Sequence, residues 1–360
     1  MTDILILTAS FGMGHNSVSK AIKEQLESED TNVKVDIADL WEIINPKIKD
    51  LGSKMYYGLT ENYPTVYNTI YGIKKTYKNN IIDGIICTAH YKKLYNFISD
   101  ENPKIIISTF PLCSCLVSKI KREYGLKTNL VTVITDVVDS WEWIYDETNM
   151  YLVPSNDIKE RLIEKGIDKD SIIATGIPVK KDFLNSNSNY VIKDKLLIVA
   201  SGMGVDDISE DMVKRLSHIC PLKTIIVTGR NEKLYKKLSC MEMDTNHVEI
   251  LGFVNNLDKL MDEAVFIITK PGGVTLFEAI CKELPLIIID SSIGQEKGNI
   301  DYIKRNNIGI VIDDIDELID VITIYVNDLN KIEQIYKNIR NIKSNLKFNE
   351  VADYILQKTV

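Results

Sequence analysis

The run Lys270-Pro271-Gly272-Gly273-Val274-Thr275-Leu276-Phe277-Glu278 is the stretch of this chain best equipped for chemistry. An apolar run, Ala264 to Ile268, precedes it, and a helical pattern follows to about Glu283. A buried strand therefore passes through a glycine pair into a helix start. Such a turn leaves backbone N–H groups and the positive end of the helix dipole facing open space, which suits a phosphate. Glu278 lies more than one turn further on. A carboxylate there is poorly placed for phosphate and well placed to accept hydrogen bonds from sugar hydroxyls. Phosphate site plus hydroxyl acceptor suggests a nucleotide.

Four more glycine-bearing loops follow apolar runs in the same half: Ser201-Gly202-Met203-Gly204, Gly229-Arg230-Asn231, Gly252-Phe253-Val254 and Gly294-Gln295-Glu296-Lys297-Gly298-Asn299. In a parallel sheet all five fall on one rim, where a ligand crevice is expected. Gly272, Gly273 and the Val274 amide would hold a diphosphate, with a hydroxyl from Thr275, and Glu278 would take both ribose hydroxyls. Phe253 and Val254 could flank a flat base, with Gly202, Arg230 and Asn299 on the same rim. Gln295 and Glu296 either grip sugar hydroxyls or begin a solvated helix, where glutamate is favoured anyway.

The first half opens with Thr8-Ala9-Ser10-Phe11-Gly12-Met13-Gly14-His15, again strand, glycine turn and helix, although not the GxGxxG dinucleotide fingerprint. His15 falls near the helix N-terminus, whose dipole disfavours the imidazolium. A neutral histidine able to accept a proton is what a general base needs. Asp136, in Val133-Ile134-Thr135-Asp136, follows another apolar strand toward the same cleft, as Phe110-Pro111 follows the strand before it. No histidine and carboxylate set has metal-ligand spacing, so no metal or other cofactor is expected. The six scattered cysteines read as buried free thiols of a reducing compartment.

These groups need elements to hold them. Apolar strand-like runs alternate with amphipathic helical stretches from end to end, a parallel α/β pattern. Strands are expected at 4–8, 33–37, 104–108, 129–134, 150–153 and 172–174, then at 196–200, 224–227, 248–250, 265–268 and 286–289. The arrangement reads as two Rossmann-like domains: a first domain over 1–178, a polar linker over 179–194, and a nucleotide-binding domain over 195–335. Helices over 336–360 would pack back on the first domain. The net charge of −8 argues against general nucleic-acid binding. No apolar run is long enough to span a membrane, and the chain enters a strand at Ile4 with no leader expected. Residues 43–93 hold eight lysines against Asp50, Glu61 and Asp83, with seven tyrosines. That stretch suits an anionic membrane surface; the other reading is a pair of surface helices packed through their tyrosines.

On these motifs the chain resembles the glycosyltransferases that build membrane glycolipids, the processive diacylglycerol glucosyltransferases and the monogalactosyldiacylglycerol synthases. The resemblance rests on Gly12-Met13-Gly14-His15, Thr135-Asp136, Pro154-Ser155, Gly176-Ile177-Pro178, Ile268 to Ala279, and Gly294 to Asn299. It implies a GT-B fold with a central cleft, an acceptor-binding role for the first domain over 1–178, a UDP-sugar donor, inversion at the sugar carbon, and work without a bound metal. It also implies Glu278 on the ribose, Gln295 and Glu296 on the donor sugar, and His15 as the base. A lipid acceptor, most simply diacylglycerol, and a peripheral position on the cytoplasmic face of the membrane go with it. One departure stands out: four residues beyond Asp136, where the family often has histidine, this chain has Ser140. A soluble acceptor, a UDP-sugar epimerase and a non-catalytic UDP-sugar sensor are the competing expectations.

Overall fold

The computed structural model describes residues 2–10, 14–45, 72, 81–185, 193–200, 208–241, 246–290, 294, 296–313 and 317–357. The chain divides into two compact units. One is built on Met1–Lys181 and Leu346–Val360, the other on Asp182–Ser292 and Glu296–Asn345.

The first unit carries β1 (Ile4–Thr8), β2 (Val35–Asp39), β3 (Ile105–Ser108), β4 (Asn129–Val133), β5 (Met150–Val153) and β6 (Ile172–Ala174). They form one sheet in the order β2-β1-β3-β4-β5-β6, with every described pairing parallel. Ile4 to Leu7 and Ile105 to Ile107 are essentially inaccessible, as strands covered on both faces must be, and so they read as unbroken apolar runs. Helices α1 (Gly14–Glu29), α2 (Ile81–Glu101), α3 (Pro111–Tyr124) and α4 (Asn156–Glu164) lie between them. Strand order reverses between β1 and β3. That is where an open α/β sheet offers a crevice beyond its carboxyl edge.

The second unit carries β7 (Lys195–Val199), β8 (Lys223–Val227), β9 (Val248–Leu251), β10 (Ala264–Thr269), β11 (Leu286–Ile289) and β12 (Gly309–Ile312), in the order β12-β11-β10-β7-β8-β9. This is the doubly wound dinucleotide-type order, with its reversal between β7 and β10. Its helices include α5 (Glu210–Ile219), α6 (Glu232–Ser239), α7 (Gly273–Cys281), α8 (Glu296–Asn306), α9 (Leu318–Asn327) and α10 (Leu329–Ser344). Strand β12 is absent from the sequence reading, because its apolar run is short and opens on glycine. The sheet explains that glycine: a Cβ on Gly309 would lie 2.6 Å from the Leu286 carbonyl oxygen.

Two boundaries differ from the sequence reading. Helix α10 runs unbroken through residue 335, with Ile332, Ile335 and Ile339 buried at helical spacing, and stays with the second unit to Asn345. Only the chain from Leu346 joins the first unit, where α11 (Val351–Leu356) packs on α1. Phe348 there covers Gly176, whose φ of +79° and whose missing Cβ, which would meet the Phe348 ring at 2.3 Å, both require glycine. The stretch expected as a linker is also partly built in. Val179 is buried and accepts a hydrogen bond from Gln25 Nε2 at 3.2 Å, and Phe183 is buried within Lys181–Leu184. Among the described residues no helix is long and apolar enough to cross a membrane.

Candidate functional site

Each unit gathers its distinctive residues at the carboxyl edge of its own sheet. In the first unit α1 begins at Gly14, which puts His15 in its opening turn. His15 lies beside the loop that follows β3, the neighbour of β1 across the strand-order reversal. Its Nδ1 is 2.8 Å from the Thr109 carbonyl oxygen and 3.1 Å from Thr135 Oγ1. Thr109 is fully buried, and its amide donates to Leu7 O at 3.1 Å. Ser19 Oγ ties the two elements further, donating to the His15 carbonyl and lying 2.9 Å from Thr109 Oγ1. Phe110 meets the imidazole edge-on at 5.1 Å between centroids, and the buried Trp143 lies at 6.5 Å.

Burial among these groups holds the imidazole down at about 4, against the Thr109 carbonyl, which favours the charged form. The neutral histidine expected from the helix dipole is therefore present for a different main reason, desolvation. Asp136 follows Thr135, partly buried, at the end of β4, and its carbonyl accepts from Val138 N at 2.8 Å. Ser140 is fully buried at the N-cap of the turn Trp141–Trp143, and its carbonyl accepts from Trp143 N at 3.2 Å. Asp139 pins the same loop to the end of α4 through Lys165 at 2.9 Å and Arg161 at 3.8 Å. Burial alone would raise the Asp139 carboxyl, but the Lys165 hydrogen bond and charge pull it below its ordinary value.

In the second unit β10 ends at Thr269 and α7 starts at Gly273, beside the strand-order reversal. Gly272 is the N-cap, with φ −72° and ψ 138°, and no side chain caps the helix there. The first-turn amides of Gly273, Val274 and Thr275 have no intrahelical acceptor by virtue of position. A Cβ on Gly272 would meet no described atom within 4 Å. Neither dihedral strain nor packing by the described residues thus calls for glycine at 272, whereas close approach of a ligand to the backbone would. Leu276, Phe277, Ala279 and Ile280 are buried, while Val274, Thr275 and Glu278 are the partly open residues of the helix. That stripe puts the Glu278 backbone about 7.5 Å along the axis from the helix start, with its side chain tilted back toward it.

The remaining rim residues divide. Gly229, with φ +59°, turns the chain after β8, and the Arg230 guanidinium lies 5.3 Å above the ring of Phe253. Phe253 is 55% exposed, a flat apolar face backed by a cation, and Val254 beside it is partly buried. Glu296 opens α8 and is partly buried. Asn299, expected among the ligand-facing residues, is fully buried instead, and its Nδ2 donates to the Pro271 carbonyl at 2.8 Å. It is a strut that holds the glycine turn. Gly202 and Gln295 lie outside the described residues, as do most of the tyrosines of 43–93. Of those tyrosines, Tyr91 is described, with Lys119 Nζ 4.7 Å over its ring; just beyond the stretch, Tyr95 stacks on Tyr124 at 4.0 Å. Sequence reasoning missed Thr109, Thr135 and Trp143 as the surroundings of His15. Only the apolar strand ends before Thr109 and Thr135 pointed toward them.

Comparison with known proteins follows this division. Residues 15–179 match the monogalactosyldiacylglycerol (MGDG) synthase family, and residues 198–355 match the glycosyltransferase family 28 C-terminal domain. A processive diacylglycerol beta-glucosyltransferase of Bacillus cereus is 29% identical over 98% of this chain and 93% of its own length. Among solved structures, MurG of Acinetobacter baumannii superposes with a TM-score of 0.63 at 10% identity, covering 99% of both chains. UDP-GlcNAc 2-epimerase of Neisseria meningitidis, bound to UDP-GlcNAc, gives 0.61 at 13% identity, covering 98% of both. At such identities the structures speak for the fold alone, which is GT-B.

Proposed function

We propose that this chain, which belongs to the UDP-sugar-dependent glycosyltransferase family of the processive diacylglycerol glucosyltransferases and monogalactosyldiacylglycerol synthases, transfers a hexose from a UDP-sugar to the hydroxyl of a diacylglycerol-type lipid. The observation that supports the donor half is the turn at Gly272: a helix start with no side-chain cap, where a Cβ on the glycine would meet no described atom within 4 Å. The diphosphate sits on the amides of Gly273 and Val274 with the Thr275 hydroxyl. Glu278 accepts from the ribose, Arg230, Phe253 and Val254 flank the base, and Gln295 and Glu296 hold the sugar. The relatives are named as glucosyltransferases, which makes glucose the first sugar to test.

His15, neutral at physiological pH, takes the acceptor proton as the hydroxyl attacks the anomeric carbon. UDP leaves in the same displacement, which inverts that carbon. The helix N-terminus and the glycine amides stabilise the charge on UDP, so no metal is needed. Asp136 shapes the acceptor side with the loop Asp139–Trp143. The enzyme works at the cytoplasmic face of the membrane, held peripherally through the lysine- and tyrosine-rich stretch.

Purified protein is incubated with UDP-glucose, UDP-galactose or UDP-N-acetylglucosamine and vesicles containing diacylglycerol, and the products are weighed. A hexosyl-diacylglycerol is the expected product. Conversion of a UDP-sugar to its epimer without any acceptor would replace this reading with an epimerase. Tight UDP-sugar binding with no turnover on any lipid would make the protein a sensor.

A further inference from the structure

The surroundings of His15 determine which of its nitrogens is free to react. A carbonyl oxygen has lone pairs and no proton, so a ring nitrogen 2.8 Å from Thr109 O must be the donor. The Thr135 hydroxyl, 3.1 Å from the same nitrogen, is a second acceptor for that proton. Both partners are rigid. Thr109 and Thr135 are almost wholly buried at the ends of adjacent strands β3 and β4, and the Ser19 hydroxyl links Thr109 Oγ1 to the His15 backbone. Phe110 and Trp143 limit the tilt of the ring from its faces and edge.

We propose that Thr109, through its carbonyl, and Thr135, through its hydroxyl, are positioning residues that lock His15 in the Nδ1–H tautomer and leave Nε2 as the one nitrogen able to take the acceptor's proton. This deepens the reading of His15 as base and rests on it. The Thr109 carbonyl thereby fixes the tautomer and the Thr135 hydroxyl helps to orient the imidazole, together taking the part a carboxylate plays in a hydrolase triad. A backbone carbonyl does so without a negative charge, and so leaves burial free to keep the ring neutral.

The test separates tautomer from catalysis. Wild-type protein labelled with ¹⁵N-histidine is examined by NMR near pH 7, with the His15 signals assigned by their loss in His15→Gln. The expected pattern is a protonated, pyrrole-type Nδ1 and a pyridine-type Nε2; the reverse pattern overturns the proposal even if His15→Ala abolishes turnover. In parallel, Thr135→Val should lower kcat about tenfold with the KM for the UDP-sugar unchanged, and Thr135→Ser should restore it. Equal losses in Val and Ser variants, or a loss that appears in KM alone, would remove Thr135 from the positioning pair. If wild type shows the Nδ1–H form while His15→Ala stays active, the tautomer assignment stands and the base reading fails.

Discussion

Gly272→Ala tests the nucleotide turn by separating what the fold needs from what the ligand needs. At φ −72° an alanine is unstrained, and its Cβ enters a space with no described atom within 4 Å. The fold should therefore tolerate it with little net change in stability: the reduced freedom of the unfolded chain, about 0.4–1 kcal/mol, is offset by alanine's poorer fit at an N-cap. The same methyl group would stand where the diphosphate meets the first-turn amides. Displacing the phosphate by even part of an ångström weakens charge-assisted hydrogen bonds worth about 1.5–3 kcal/mol each, so UDP affinity should fall by about tenfold or more. Gly309→Ala is the control of opposite sign. Its Cβ would lie 2.6 Å from the Leu286 carbonyl oxygen, so strands β11 and β12 must part, at a cost of about 1–3 kcal/mol. UDP binding to the folded fraction should survive. Thermal unfolding with and without UDP, and calorimetric titration of UDP, read both effects. A Gly272→Ala protein that binds UDP as wild type does, or one that loses stability as Gly309→Ala does, would refute the argument.

Other perturbations follow from the same geometry. Glu278→Ala should weaken UDP binding by about 1–3 kcal/mol, and unchanged affinity in calorimetry would remove the ribose assignment. His15→Ala should cut turnover severely and leave UDP affinity intact. Because its imidazole is held at about 4 rather than 6.5, the acid limb of kcat/KM assigned to His15 should lie near pH 4. The same depression means that the unfolded chain binds the proton more readily. His15 therefore withdraws stability as pH falls from 6.5 through 4, by about 3 kcal/mol at most, and His15→Gln should flatten that part of the stability–pH curve. Asn299→Ala strips the Pro271 carbonyl of its buried partner and should cost about 1–3 kcal/mol, with UDP affinity falling as the turn loosens. Turnover in excess EDTA should equal that without it if the helix N-terminus alone carries the leaving-group charge.

The sequence by itself determined the parallel α/β class, most strands to within two residues, and the glycine turns that end them. Buried strands and helix starts are written in neighbouring residues, through apolar runs and the absence of a Cβ, so a local pattern suffices. It also singled out His15 and Glu278, each tied to a glycine turn a few residues away. Contacts between distant residues left no such trace. Thr109 and Thr135 reach His15 from 94 and 120 residues away; the apolar strands before them place both at the rim, but not against the imidazole. Asn299 reads as one more polar residue on a ligand rim until the fold buries its amide against Pro271. Gly309 marks a strand only once Leu286 lies beside it, and Gly176 finds its reason in Phe348, far along the chain. Residue type and spacing thus carried the chemistry each turn could do. The tertiary structure decided which groups orient it, because orientation depends on hydrogen bonds and packing across strands that meet only in the folded sheet.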